Sequence, residues 1–273
     1  MGRGNEAEDI ATGSTRRDDT GDVEVEPPAP PRRDIRFAIV PSRVLRILLL
    51  VIAVLVALST ATHMTWLYVP DFPFQTSTLS LLSVDKEQSL PTLYSTVTML
   101  VGALLCAAIA HGRSHQGTSD VRHWAAVSLI VGLLAIDEFA SLHERLIDPF
   151  QRLLEIEGGP FLLAWVVPAI VAVIVFVVIF LPFLGRLPRP TRRGLWTAGV
   201  LFVGGAIGME MFATTYVPLN ATDTLAYVLS ATVEETLEML GIAVFLSTLL
   251  AYIPVGVPDT RWTVWVATPD QSR

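Results

Sequence analysis

The stretch FLLAWVVPAIVAVIVFVVIFLPFL, residues 161–184, runs for twenty-four residues without a charge. At about 1.5 Å per residue a helix of that length crosses about 30 Å of hydrocarbon. In hydrocarbon every backbone N–H and C=O must be satisfied within the segment, so the run predicts a helix. Pro168 and Pro182 predict a kink or an end in it.

Working outward, five further stretches have the same character: 44–68, 91–111, 123–146, 194–217 and 225–252. The fold class they predict is an all-α membrane protein, a six-helix transmembrane bundle. Residues 1–35 are polar, acidic and rich in proline, as in Pro27-Pro28-Ala29-Pro30-Pro31. Such a segment buries too little apolar area to offset its ordering entropy and is predicted to be disordered. It lacks an apolar core and a small-residue cleavage site, so it does not read as a signal peptide. The domain reading is a tail over 1–35, a six-span domain over 36–253 and a second tail over 254–273.

Composition agrees. Hydrophobic residues make up 52% of the 273 and charged residues 16%, where soluble domains carry about 25% charged residues. The formal net charge of −7 excludes a nucleic-acid partner as the natural reading. Cys106, the single cysteine, can form neither an internal disulfide nor a cysteine cage for a metal and reads as core filler.

Arginines set the expected orientation. Arg32, Arg33, Arg36, Arg43 and Arg46 precede the first span. Arg113 and Arg122 separate the second and third, and Arg186, Arg189, Arg192 and Arg193 separate the fourth and fifth. The alternate connections hold only Lys86, Arg145 and Arg152. Both termini are therefore expected in the cytoplasm, with the chain in the cell membrane and the bilayer as its principal partner.

Against this background seven carboxylates stand out: Asp137, Glu138, Glu144, Glu210, Glu234, Glu235 and Glu238. Each falls within a predicted span, where a charge costs about 2.5–3.5 kcal/mol on insertion scales. Glu138 lies about 12 Å before Leu146, Glu210 about 10 Å before Val217 and Glu235 about 15 Å after Leu225. Three spans thus bring acids to one layer in the outer half of the bilayer, with His63 at a similar level. Asp137, Ser141, Glu144 and Asp148 are spaced for one helical stripe. Gly204, Gly205 and Gly208 would let another helix approach near Glu210. Ser95 and its polar neighbours at the start of the second span could line the same cavity.

Clustered carboxylates cannot all ionise without a neutralising proton or cation. Glutamates and histidines on facing helices also build di-metal carboxylate sites. The metal reading uses Glu138, His143, Glu210, Glu235 and Glu238, with His63 as a further candidate, and Fe, Mn or Zn as the ion. Asp137, Glu144 and Glu234 are then catalytic acid/base groups or supports for the ligands. The spacing Glu138-x-x-x-x-His143 is not the Glu-x-x-His of soluble di-iron bundles, and His143-Glu144 lacks the second histidine of a zinc protease motif. The bland alternative makes Glu144 and Asp148 a wet helix end, with Arg145 paired to an acid. The segment from Asp148 to Pro160 reads as an amphipathic outer helix, and Trp66, Tyr68, Phe72 and Phe74 as an interfacial aromatic belt.

With Asp85 to Ser95, Asp137-Glu138-x4-His143-Glu144 and Glu234-Glu235-x2-Glu238 in place, the chain resembles a group of uncharacterised bacterial multi-span membrane proteins over roughly 44–252. That resemblance implies the fold and carries no activity. The functional expectation is a cation or metal site, catalytic or not, acting on a membrane-borne substrate. A cation- or proton-coupled transporter or channel is the first alternative, and a structural or assembly protein the second.

Overall fold

The structure is a computed structural model that describes residues 39–69, 75–86, 88–156, 158–217 and 224–257. The predicted tail over 1–35, most of the one over 254–273, and Phe72 and Phe74 of the aromatic belt lie outside the described residues. All regular structure among the described residues is helical.

Among the described residues six helices are long and apolar enough to cross a membrane. They are α1 (Pro41–Tyr68), α3 (Leu90–His115), α4 (Val121–Ala140), α6 (Val166–Arg186), the continuous helix from Arg189 to Tyr216, and α9 (Leu225–Gly256). The fifth comprises α7 (Arg189–Val203), a π-helical turn (Gly204–Met209) and α8 (Glu210–Tyr216). Two short helices fill connections: α2 (Gln75–Leu82) and α5 (Ile147–Leu154). The helix expected between Asp148 and Pro160 is present as α5, which ends at Leu154.

Start signals match the sequence. Pro41, Pro91 and Pro190 sit in first turns, where the missing N–H costs nothing. Ser89 caps α3 by accepting from Thr92 N, and Thr224 caps α9 by accepting from Tyr227 N. Pro168 falls in the first turn of α6, and Pro182 lies inside it.

Helix α9 is the hub, packed against α1, α3, α7 and α8, while α3 runs along α4. Apolar residues encircle α9, as a helix with neighbours on several sides requires. Small residues let its partners come close. A Cβ on Gly241 would lie 2.9 Å from Ala198 O and 2.8 Å from Phe202 N, and one on Gly194 would collide with Thr248. On the α3 side a Cβ at Gly102 would meet Phe245 at 3.0 Å.

The two ends of the bundle differ. At the arginine end Arg113 Nη1 donates to Gly256 O (3.1 Å) and Nη2 to Asp120 Oδ2 (2.7 Å), tying together α3, α9 and the turn before α4. Beneath it lies a dense apolar cluster that includes Cys106, Ile109, Trp124, Phe183, Leu249 and Tyr252. Cys106 is wholly buried there, as core filler should be. At the other end α1 is latched to the segment after α2, since Val84 N donates to Ser59 Oγ (3.0 Å). The outward faces stay apolar: Ile47, Leu50, Val54, Leu104, Val178 and Val200 are all exposed.

One helix end differs from expectation. The third span stops at Ala140, not Leu146, because Ser141 adopts a left-handed conformation (φ 45°, ψ 50°). A 3-10 turn over Glu144–Leu146 comes next and leads into α5. The stripe Asp137, Ser141, Glu144, Asp148 is therefore broken after Asp137, and Glu144 and Asp148 are exposed.

Candidate polyacidic site

The early end of α4 builds the mouth of the site. Asp137 in its last turn accepts from the backbone N of His143 through Oδ1 (2.8 Å) and faces His143 Nδ1 through Oδ2 (2.9 Å). A carboxylate accepts, so Nδ1 carries the proton and Nε2 is the atom left for other chemistry. The imidazole lies against Trp165, ring centroids 4.7 Å apart. Trp165 Nε1 in turn donates to Glu210 Oε1 (3.0 Å). The other oxygen of Glu210 is buried without a hydrogen-bond partner among the described residues.

Glu210 owes its direction to the π turn before it. Each π turn adds a residue to the helical cycle and rotates the residues after it by about 100°, a distortion frequent at functional sites. The turn carries Gly204, Gly205 and Gly208, but only Gly205 makes the close approach expected of the three. A Cβ there would lie 2.8 Å from both Glu234 O and Glu238 Cγ. The other two have open space around them.

On α9, Glu234, Glu235 and Glu238 are partly buried on adjoining faces, at i, i+3 and i, i+4 spacings. Glu238 is close enough to feel the charges of Glu138, Glu234, Glu210 and Asp137, and Glu235 those of Glu238, Glu138 and Glu234. Glu138 interacts with His143 and Asp137 and lies near Ser95 of α3. Carboxylates from α4, α8 and α9 therefore share one electrostatic neighbourhood. Helix α9 contains no basic residue, and the arginine of α4 sits at its opposite end, at Arg122.

The depth of Glu138 differs from expectation. It lies two residues from the end of its helix, about 3 Å, and not about 12 Å. Its charge still reaches Glu235 and Glu238 of α9.

His63 is placed differently from the other candidates. Its Nδ1 donates to Ser59 O (3.0 Å), since a carbonyl can only accept, and Nε2 faces Ser83 Oγ (3.3 Å). Both ring nitrogens are thus engaged in the latch between α1 and the segment after α2. Among the described residues no group of three or more His, Cys, Asp or Glu side chains is arranged to hold a metal ion.

Sequence reasoning overlooked three contributors. Trp165 bridges His143 and Glu210, and the signal was an indole N–H, which needs an acceptor, at the edge of an apolar run. Asp85 and Tyr227 form the other pair: the phenol donates to both carboxylate oxygens at 3.0 Å. Burial pushes the Asp85 carboxyl above its ordinary value, against the opposing pull of the Tyr227 hydrogen bond, Lys86 and His63. Asp85 in turn acts electrostatically on Glu234 and Glu235.

The class this geometry defines is, among the described residues, an all-helical bundle of six helices of membrane-crossing length, with carboxylates converging at the end opposite most of its arginines. Within that class the chain belongs to the family described as a domain of unknown function (DUF8692), whose model matches residues 47–253. The matched region takes in almost the whole bundle, in keeping with a resemblance to uncharacterised proteins over roughly 44–252. No curated protein and no solved structure matches the chain.

Proposed function

We propose that the chain is a multi-pass cell-membrane protein, both termini cytoplasmic, whose polyacidic site opens to the outer side and binds a cation. Exposed apolar faces along the long helices suit hydrocarbon. Arginines gathered at one end suit the cytoplasmic side. The observation that carries the cation reading is the convergence of Glu138, Glu210, Glu234, Glu235 and Glu238 without an intervening arginine or lysine. Such a group stays in an apolar bundle only if protons or a metal neutralise it.

In this reading Glu138, His143, Glu210, Glu235 and Glu238 supply ligands, and His63, already engaged by Ser59 and Ser83, is left out. Drawing them round an Fe, Mn or Zn ion requires the side chains to close from the positions described. A histidine that gives its Nδ1–H to a carboxylate and presents Nε2 is the arrangement of a metal-bound imidazole, and equally that of a general base. Asp137 orients His143 in either role, while Glu144 and Glu234 flank it as acid/base groups for a membrane-borne substrate. The test is metal analysis and calorimetric titration of the full chain in lipid nanodiscs, with Glu138→Gln and Glu235→Gln alongside. Wild type should retain a divalent ion that both variants lose. Wild type that retains none from any of Fe, Mn, Zn, Mg or Ca refutes the metal form.

A second reading, a proton-coupled carrier, is favoured by the lack of a ready metal cluster among the described residues. Against it stands the apolar cluster around Trp124 and Phe183, which closes the arginine half. A proteoliposome flux assay separates the two, since a one-sided site moves nothing.

A further inference from the structure

The arginine end holds a second place with its own chemistry, separate from the acids. A cavity of about 250 Å³ opens where the turn between α3 and α4, the junction of α6 with α7, and the last turn of α9 meet. Its charged and polar lining comprises Arg113, Ser119, Asp120 and Arg186, and its apolar lining includes Phe183 and Tyr252. Two arginines against one aspartate leave one positive charge.

The two arginines play different parts. Arg113 is consumed by structure: Asp120, Gln116 Oε1 and Gly256 O take up its Nη atoms. Arg186 is exposed and forms neither an ion pair nor a hydrogen bond among the described residues. It ends an apolar helix of membrane-crossing length, at the level where lipid headgroups lie. Pro188 lines the cavity and precedes the first turn of α7, which has no side-chain cap. That puts the positive end of a fifteen-residue helix beside the free guanidinium.

We infer that this cavity binds a phosphate group, with Arg186 as its principal anion contact and Ser119 as a hydroxyl donor. A singly charged phosphodiester balances the net charge. The Phe183 and Tyr252 side suits the apolar part of an amphiphile joined to it. The chemistry is shared by an anionic lipid headgroup and a free phosphate, and the experiment distinguishes them.

The full chain is purified in a mild detergent and titrated separately with phosphatidylglycerol, phosphatidylcholine and inorganic phosphate, with bound species read by native mass spectrometry. Variants are Arg186→Gln, which breaks no hydrogen bond or ion pair among the described residues, and Arg193→Gln, exposed at the same end of the bundle. Phosphatidylglycerol should bind in preference to phosphatidylcholine, and Arg186→Gln should weaken it about fivefold, the share of one arginine at a membrane surface. Arg193→Gln should leave it unchanged. Binding of inorganic phosphate but not of phosphatidylglycerol, lost in Arg186→Gln, assigns the site to a free phosphate. Equal weakening by both variants, or no binding of either phosphate source, overturns the inference.

Discussion

Asp137 holds His143 twice: one carboxylate oxygen accepts the backbone N–H at 2.8 Å and the other the Nδ1–H at 2.9 Å. A single side chain thereby closes the turn that ends α4 and orients the only histidine near the acids whose Nε2 is available. Asp137→Asn keeps one acceptor and replaces the other with a donor. It should cost about 1–3 kcal/mol, the penalty for an unpaired buried polar group. Nitrogen NMR of labelled histidine should find His143 protonated at Nδ1 in wild type and redistributed in the variant. An unchanged tautomer would mean that Asp137 does not orient the ring.

Gly205 and Gly208 share the π turn but face different surroundings. Gly205→Ala places a methyl 2.8 Å from Glu234 O and Glu238 Cγ, so α9 must shift. The expected loss is about 1–3 kcal/mol, typical of overpacking. Gly208→Ala meets open space and should be neutral or slightly stabilising. Thermal unfolding of both variants decides the point, and equal loss would contradict the close approach.

Ser59 carries the latch between α1 and the segment after α2. Its hydroxyl accepts Val84 N–H and its carbonyl accepts His63 Nδ1–H. Ser59→Ala leaves Val84 N–H buried and unpaired, at a cost of about 1–3 kcal/mol. Hydrogen exchange should accelerate at Val84 and Asp85 and not along α7. Exchange that rises evenly over the chain would argue against a local latch.

Asp120 supplies a pH dependence of known sign. Burial opposes its charge. The Arg113 hydrogen bond and charge, with help from nearby backbone and the neighbouring Thr118, outweigh that and hold the carboxyl below its ordinary 3.8. A carboxyl lowered on folding stabilises above its unfolded value, and the gain disappears as pH falls from about 4 through the folded value. Asp120→Asn should therefore be less stable than wild type near neutrality and should converge with it in strong acid. A gap that persists at pH 2 would remove Asp120 as its source. Asp85, raised by burial, acts with the opposite sign: its contribution grows as pH falls through its raised folded value.

Much of this architecture was legible without coordinates. Length and apolarity were sufficient for six spans because hydrocarbon tolerates only backbone that satisfies itself. The ends were less legible. The third span overran by six residues, since nothing in Ser141 announces a left-handed residue; the turn it starts is bridged by Asp137 and His143. Likewise, the indole N–H of Trp165 announces the need for an acceptor, but nothing local says that Glu210, forty-five positions away, supplies it.

The sequence by itself determined the count of spans, the gathering of most arginines away from the acids, and the placing of carboxylates on three helices. These stem from local composition and from the cost of charge in an apolar medium. Only the tertiary structure decided which acids meet. A π turn re-aims Glu210, a single glycine brings that turn against α9, the packing of α4 brings Glu138 within electrostatic reach of Glu238, and the turn after α4 sets His143 against Asp137 and Trp165. Such contacts depend on the rotation and approach of whole helices, which side-chain packing between distant segments sets and no local pattern encodes.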